Sequence, residues 1–175
     1  MTYDDTYLVN KCIANERQYQ ELLYHKYADD MFAVCMTYCT NKDDACDVMQ
    51  EGFIKVFRKL ETFNFDCPLK MWIRRIIVNT ALDFYRKTKR LEKKKDELKK
   101  MPEHTTNGIL EQLGAEELIG LVNSLPLRAS IILKLYAIEG YSHKEIALKL
   151  DISEGTSKSQ LSRARNLLRQ KISTI

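Results

Sequence analysis

A chain of 175 residues, 45% apolar and 30% charged, can build one ordinary domain or two small ones; its 6 glycines and 3 prolines are too few turn formers for a sheet protein. The formal net charge of +4 hides an uneven spread: residues 1–66 carry 7 Lys/Arg against 12 Asp/Glu, residues 86–100 carry 9 against 3, and residues 143–171 carry 7 against 3. The basic stretches suit a polyanion and the acidic module a protein surface, although any one charge run alone is more often an ordinary solvated helix face.

The five cysteines, Cys12, Cys35, Cys39, Cys46 and Cys67, are odd in number and form no C-x-x-C pair. A secreted disulfide framework is excluded and a reducing compartment fits. Cys35 and Cys39 have the spacing of two zinc ligands on a helix face, but no second pair accompanies them, so they read as buried small apolar thiols. No metal or cofactor is expected. The first residues, MTYDDTYLVN, lack the basic region and apolar core of a signal peptide, and no stretch approaches the ~18 apolar residues of a membrane span. A cytoplasmic chain without membrane insertion is expected.

In chain order, Asn15 to Tyr38 reads as an amphipathic helix, with Tyr19, Leu22, Leu23, Tyr27, Val34, Cys35 and Tyr38 recurring at spacings of three and four. Asn41 and Asp43 offer N-cap chemistry for a second helix to Leu60, which turns Ala45, Val48, Met49, Phe53, Val56 and Phe57 inward. The segment 61–67 breaks the pattern, and Pro68 suits the first turn of a third helix carrying Leu69, Trp72, Ile73, Ile76, Ile77, Ala81 and Leu82 inward. From Lys87 to Leu113 the apolar pattern fades into a Lys-rich linker with a helical start. A second module begins near Gly114, with a short helix over 116–124, another opened by Pro126 and ended by Gly140, one over 143–150 capped by Ser142, and a last one capped by Ser153 and running to Gln170. The fold class is all-α: two small helical domains, 1–87 and 114–175, joined by a flexible linker, 88–113.

The sharpest signal is residues 139–169, EGYSHKEIALKLDISEGTSKSQLSRARNLLR. Two short helices meet at a tight turn, with Ala147 four residues before the turn position Asp151, and Ile152, Leu161, Ala164 and Leu168 buried with Ser157 in the same stripe. This is the helix-turn-helix pattern, whose second helix enters the DNA major groove. Its exposed start offers Thr156, Lys158, Ser159 and Gln160, followed by Ser162, Arg163, Arg165 and Arg169. Backbone N–H groups at a helix start can hold a phosphate, Lys and Arg bond guanine edges or phosphates, and Gln can pair with adenine.

These residues resemble the fourth region of the extracytoplasmic-function group of RNA polymerase sigma factors, whose common form is EG-x-S-x-x-EIA-x-x-LGIS-x-GTVKSRL-x-RAR. Asp151 stands for the usual Gly, Ser157 for Val and Gln160 for Arg. Asp takes the left-handed turn at modest cost, Ser157 weakens the buried stripe, and Gln160 removes a cationic contact, so no generic promoter preference follows. DDACDVMQEGFIKVFRKL (43–60) resembles sigma region two. There the resemblance implies docking on the polymerase clamp helices through Asp44, Asp47, Gln50 and Glu51, an acidic-polar patch suited to a basic surface. FNFDCPLKMWIRRIIVNTALDFYRK (63–87) resembles the promoter-opening segment. The resemblance implies capture of a minus-ten base by Phe63, Asn64, Phe65 and Asp66, with Arg74, Arg75, Asn79 and Arg86 holding the strand; aromatic faces stack on bases and Asn pairs with their edges. Trp72, on an apolar stripe, reads as core.

The implied function is a sigma factor that binds core RNA polymerase and directs it to promoter DNA in a stress or signal response, with an anti-sigma protein as a further partner. The rival is a stand-alone helix-turn-helix regulator, which would leave 43–87 without a purpose. An enzyme is not expected: Asp43, Asp44 and Asp47 cluster at a helix start with no base beside them, and no Gly-rich phosphate loop or nucleophile motif occurs.

Overall fold

The computed structural model describes residues 4–96 and 120–173, with side chains in the first of these segments described to Leu91. Helices α1 (Asp5–Ile13), α2 (Arg17–Tyr38), α3 (Lys42–Lys59), a 3-10 turn (Leu60–Thr62) and α4 (Leu69–Asp96) form the first part. Residues 120–123 are helical, and α5 (Leu127–Ala137), α6 (His143–Leu150) and α7 (Glu154–Ile172) follow. No strand occurs among the described residues, as the scarcity of turn formers requires. The chain divides into two compact units between Lys89 and Arg90.

In the first unit, Leu23, Met31, Val34 and Cys35 of α2 pack with Val48, Phe53 and Val56 of α3, and Ile73, Ile77, Val78 and Ala81 of α4 are equally buried. Each of the larger side chains contributes about 1.5–3 kcal/mol by leaving water. Asn41 caps α3, its Oδ1 accepting from the Asp44 N–H at 2.8 Å. Asp43 and Asp44 in the first turn and Arg58 and Lys59 in the last complement the helix dipole. Helix α1 lies outside the sequence reading. Its Leu8, Val9 and Cys12 are buried on α2, and its Asp5 accepts from the Tyr27 hydroxyl at 2.8 Å and pairs with Lys26 at 2.7 Å.

One boundary can be compared with expectation, the end of α4. Helix α4 runs on to Asp96, so the basic stretch begins as regular helix rather than ending at Lys87. The remainder of the expected linker and the start of the expected second module, residues 97–119, lie outside the described residues, as does most of the helix expected over 116–124.

In the second unit, Ala129 to Leu135 of α5 are all buried, and α7 packs against both α5 and α6 through Ser157, Leu161 and Ala164. A reciprocal capping box opens α6: the Ser142 side chain accepts from the Glu145 N–H while Glu145 accepts from the Ser142 N–H at 2.8 Å. Asp151 ends α6 in the left-handed conformation at φ 56°, and the Ile152 N–H donates to the Ala147 carbonyl at 3.0 Å. Ser153 then caps α7 through the Thr156 N–H at 3.0 Å. Each cap stabilises its helix by about 1 kcal/mol, so the two sides of this turn are fixed chemically as well as by packing.

Candidate nucleic-acid interface

Three exposed surfaces carry the residues singled out above. On α3, Asp47, Gln50 and Glu51 are exposed and share one face. Asp44 is half-buried and occupied locally, accepting from the Asn41 Nδ2 at 2.8 Å while its own N–H is capped. Glu51 pairs with Lys55 at 2.7 Å, and Lys55 reaches Asp83 of α4 at 3.9 Å. Asp47 and Gln50 are thus the exposed centre of this face, with Glu51 engaged by Lys55. Sequence reasoning missed Ile54, which is 51% exposed and stands on this polar stripe three residues after Glu51 and four after Gln50. An exposed isoleucine amid polar groups was the available signal, because interfaces set apolar anchors in a polar rim.

The loop between α3 and α4 divides its two phenylalanines. Phe63 is buried, its ring centroid 4.7 Å from that of Phe65 and 5.2 Å from that of Trp72. Phe65 is 46% exposed and sits at φ 63°, a conformation a bulky L-residue seldom takes. Strain there costs on the order of 1–3 kcal/mol, and the observed result is an aromatic face turned to solvent on a rigid aromatic base. Asn64 and Asp66 are exposed and joined, the Asn64 Nδ2 donating to the Asp66 Oδ2. Phe63 thus supports the loop, and Phe65 is the ring able to stack. Trp72, read from its stripe as core, is only half-buried, with its ring against that of Phe63.

Along α4, Arg75, Asn79 and Arg86 share a face by their spacing, with Arg74 beside it. Arg75 is exposed; Arg74, Asn79 and Arg86 are half-buried. Arg86 pairs with Asp83, so the track carries one built-in carboxylate that the sequence reading did not weigh. The surface can hold a phosphodiester backbone once Arg86 exchanges that partner.

On α7, Lys158, Ser159, Ser162, Arg163 and Arg165 are exposed, and Gln160 and Thr156 are half-buried. The Thr156 hydroxyl lies 2.9 Å from that of Ser153 and belongs to the cap, Ser159 donates to the Thr156 carbonyl at 3.0 Å, and Lys158 stands 4.0 Å from Glu154. Arg165 lies over the Tyr136 ring, its Cζ 5.7 Å from the centroid. Ser157 is wholly buried and does not leave an orphan hydroxyl in the stripe: its Oγ lies 2.9 Å from the His143 Nδ1. His143 and Tyr136 were both missed, since neither belongs to the exposed face of α7.

Burial pushes Cys35 up to about 12 and Cys39 up to about 11, so both stay protonated near neutrality. Among the described residues no three His, Cys, Asp or Glu side chains could together hold a metal ion. No helix of the described residues is long and apolar enough to cross a membrane.

An acidic-polar helix face and an aromatic loop in one helical unit, and a capped helix-turn-helix with a basic outer face in the other, define an all-helical protein with a nucleic-acid-binding motif. The family model for Sigma-70 region 2 matches residues 23–91, and that for Sigma-70, region 4 matches residues 115–168. The RNA polymerase sigma factor SigV of Bacillus subtilis is 31% identical over 143 residues, covering 82% of this chain and 84% of its own. The ECF RNA polymerase sigma-E factor of Haemophilus influenzae is 28% identical over 180 residues, covering 96% and 95%. The chain belongs to the sigma-70 family of RNA polymerase sigma factors, in its extracytoplasmic-function group. Two solved structures share the fold: the sigma factor RpoE in complex with the anti-sigma factor NepR from Bartonella quintana, with TM-score 0.52, 22% identity and coverage of 87% and 96%, and CnrH in complex with the cytosolic domain of CnrY, with TM-score 0.51, 21% identity and 97% of both chains.

Proposed function

We propose that this sigma factor works as a two-handed adaptor in the cytoplasm, without catalysis of its own, and that its working modules are residues 1–87 and 114–175 with 88–113 as the tether. The α3 face around Asp47, Gln50, Glu51 and Ile54 docks on core RNA polymerase. The helix α7 anchors the minus-thirty-five element as duplex through Lys158, Ser162, Arg163 and Arg165, with Thr156, Ser159 and Gln160 at its leading end. Phe65 then stacks on an unpaired base of the minus-ten element, Asn64 and Asp66 read its edge, and Arg74, Arg75, Asn79 and Arg86 hold the strand. Phe63 and Asp44 serve as supports for the loop and the helix start.

One observation carries this reading: the same chain holds an outward-turned aromatic ring backed by Phe63 in one unit and a doubly capped helix-turn-helix in the other. Duplex reading alone needs only the second; strand opening needs the first, because a flipped base must find a stacking partner. An anti-sigma protein is the natural regulator of such a chain, as in the sigma–anti-sigma complex that shares its fold, and it would restrain the factor until a stress or other signal arrives.

The test is binding of the full chain, carrying a fluorescent label at its N-terminus, to core polymerase, followed by anisotropy of the label. A sigma factor binds core in the absence of DNA. A stand-alone helix-turn-helix regulator binds duplex but not core, and that result would reject the proposal.

A further inference from the structure

We infer that Tyr136 and His143 are positioning residues for the DNA-facing helix: they fix the rotation of α7 and hold the Arg165 guanidinium ready for a DNA phosphate. The inference rests on the reading of α7 as the duplex-binding helix and concerns how that helix is set.

His143 is the first residue of α6, and its Nδ1 lies 2.9 Å from the Oγ of the wholly buried Ser157 on α7. Left without a partner, a buried hydroxyl keeps the full penalty of its desolvation. The imidazole removes that cost with a directional bond that an apolar side chain at 157 could not make. The His143 ring also stacks on Tyr136, with centroids 4.8 Å apart and planes 25° from parallel. Tyr136 stands at the end of α5 and is 38% exposed, and the Arg165 guanidinium lies over its ring. Three helices are thus joined through four side chains. The two attachments on α7, at 157 and 165, are separated by roughly 12 Å along the axis. Two fixed points on a rod set its tilt and its rotation together.

Arg165 shares a stripe with Lys158, Ser162 and Arg169, spaced four, three and four residues apart on α7. An exposed arginine has much rotamer freedom to lose on binding. Resting on Tyr136, it has already surrendered part of that freedom, so a phosphate contact formed from this pose is stronger.

The experiment measures the affinity of holoenzyme, full chain plus core polymerase, for a promoter fragment whose start site has been mapped, as a function of KCl between about 50 and 200 mM. Arg165→Ala should weaken binding about three- to tenfold and lower the slope of log affinity against log salt by about 0.9, the mark of one lost phosphate. Tyr136→Leu removes no charge, yet should reproduce more than half of both changes and add nothing further in the Arg165→Ala background. Tyr136→Phe should retain wild-type behaviour. Arg165→Lys keeps the charge, stacks poorly, and should bind about threefold more weakly and be indifferent to Tyr136→Leu. A merely structural Tyr136 would lower the melting temperature and leave the slope alone. A wild-type slope in Tyr136→Leu beside a reduced slope in Arg165→Ala, or an Arg165→Lys variant still sensitive to Tyr136→Leu, would overturn the inference and leave α7 as a DNA helix. If Lys158→Ala, Arg163→Ala and Arg165→Ala all keep the wild-type slope, the duplex-binding role of α7 fails, and this inference with it.

Discussion

Gly52 of α3 faces Ile77 of α4 so closely that a Cβ at position 52 would run into the Ile77 Cδ1. Ile77 is wholly buried and has little room to yield. The contact couples the helix bearing the proposed polymerase-facing residues to the helix bearing the proposed strand-facing ones. Gly52→Ala gains about 1 kcal/mol of helix propensity and loses a similar amount to overpacking, for a small net change. Gly52→Val has no such compensation and should destabilise the first unit by about 2–3 kcal/mol. Urea denaturation followed by Trp72 fluorescence reads this directly, because the single tryptophan lies in that unit.

Ile54→Asp should weaken core binding about tenfold or more while leaving stability within about 0.5 kcal/mol of wild type, since the side chain is exposed in the free chain. Asp44→Ala should do the opposite. It removes Asp44's side-chain hydrogen bond to the Asn41 amide, which a melt detects, with a smaller effect on core affinity than Asp47→Ala. Titration of labelled core separates the two.

Phe65→Asn should fold as well as the parent or better, because asparagine accepts the left-handed backbone that strains phenylalanine. It should nevertheless leave a closed complex that opens about tenfold less, as the loss of one base–aromatic stack at ~1–3 kcal/mol implies. Permanganate reactivity of thymines near minus ten is the readout.

How much of this could be read from sequence depends on the element. The helices α2, α3, α5, α6 and α7 carry apolar stripes or caps long enough to be recognised, and the Asp151 turn was legible because a residue tolerant of positive φ stands between two capped helices. Helix α1 was not, since nine residues with three buried side chains are too short for periodicity to separate helix from loop. Past Lys87 the sequence offered only a helical start to the linker, without its extent, because a solvated Lys-rich helix shows no apolar period. In the loop, sequence offered two equivalent phenylalanines; only the backbone twist at Phe65 decides which ring faces solvent. The His143–Ser157 bond joins residues fourteen apart across a turn, and a polar residue in a buried stripe reads as a defect until its partner is seen.

Lys134 gives the second unit a definite pH dependence. Its side chain is buried on α5, and burial pushes its ammonium down from the usual 10.5 to about 8. Between these values the unfolded chain binds the proton and the folded chain does not, so stability rises with pH through that window and is lost as pH falls toward 8. The second unit should gain about 1–2 kcal/mol between about pH 7.5 and 9.5, and Lys134→Met should abolish the rise and be more stable at neutral pH. Circular dichroism melts, with Trp72 fluorescence separating out the first unit, provide the measurement.

Run-off transcription with purified core polymerase, with and without this chain, tests the central claim most directly. The account predicts start sites that appear only when the chain is present, share a common upstream sequence at minus thirty-five and minus ten, and weaken about tenfold with Phe65→Asn. Initiation unchanged by the chain, or start sites unaffected by Phe65→Asn together with Lys158→Ala, would contradict it.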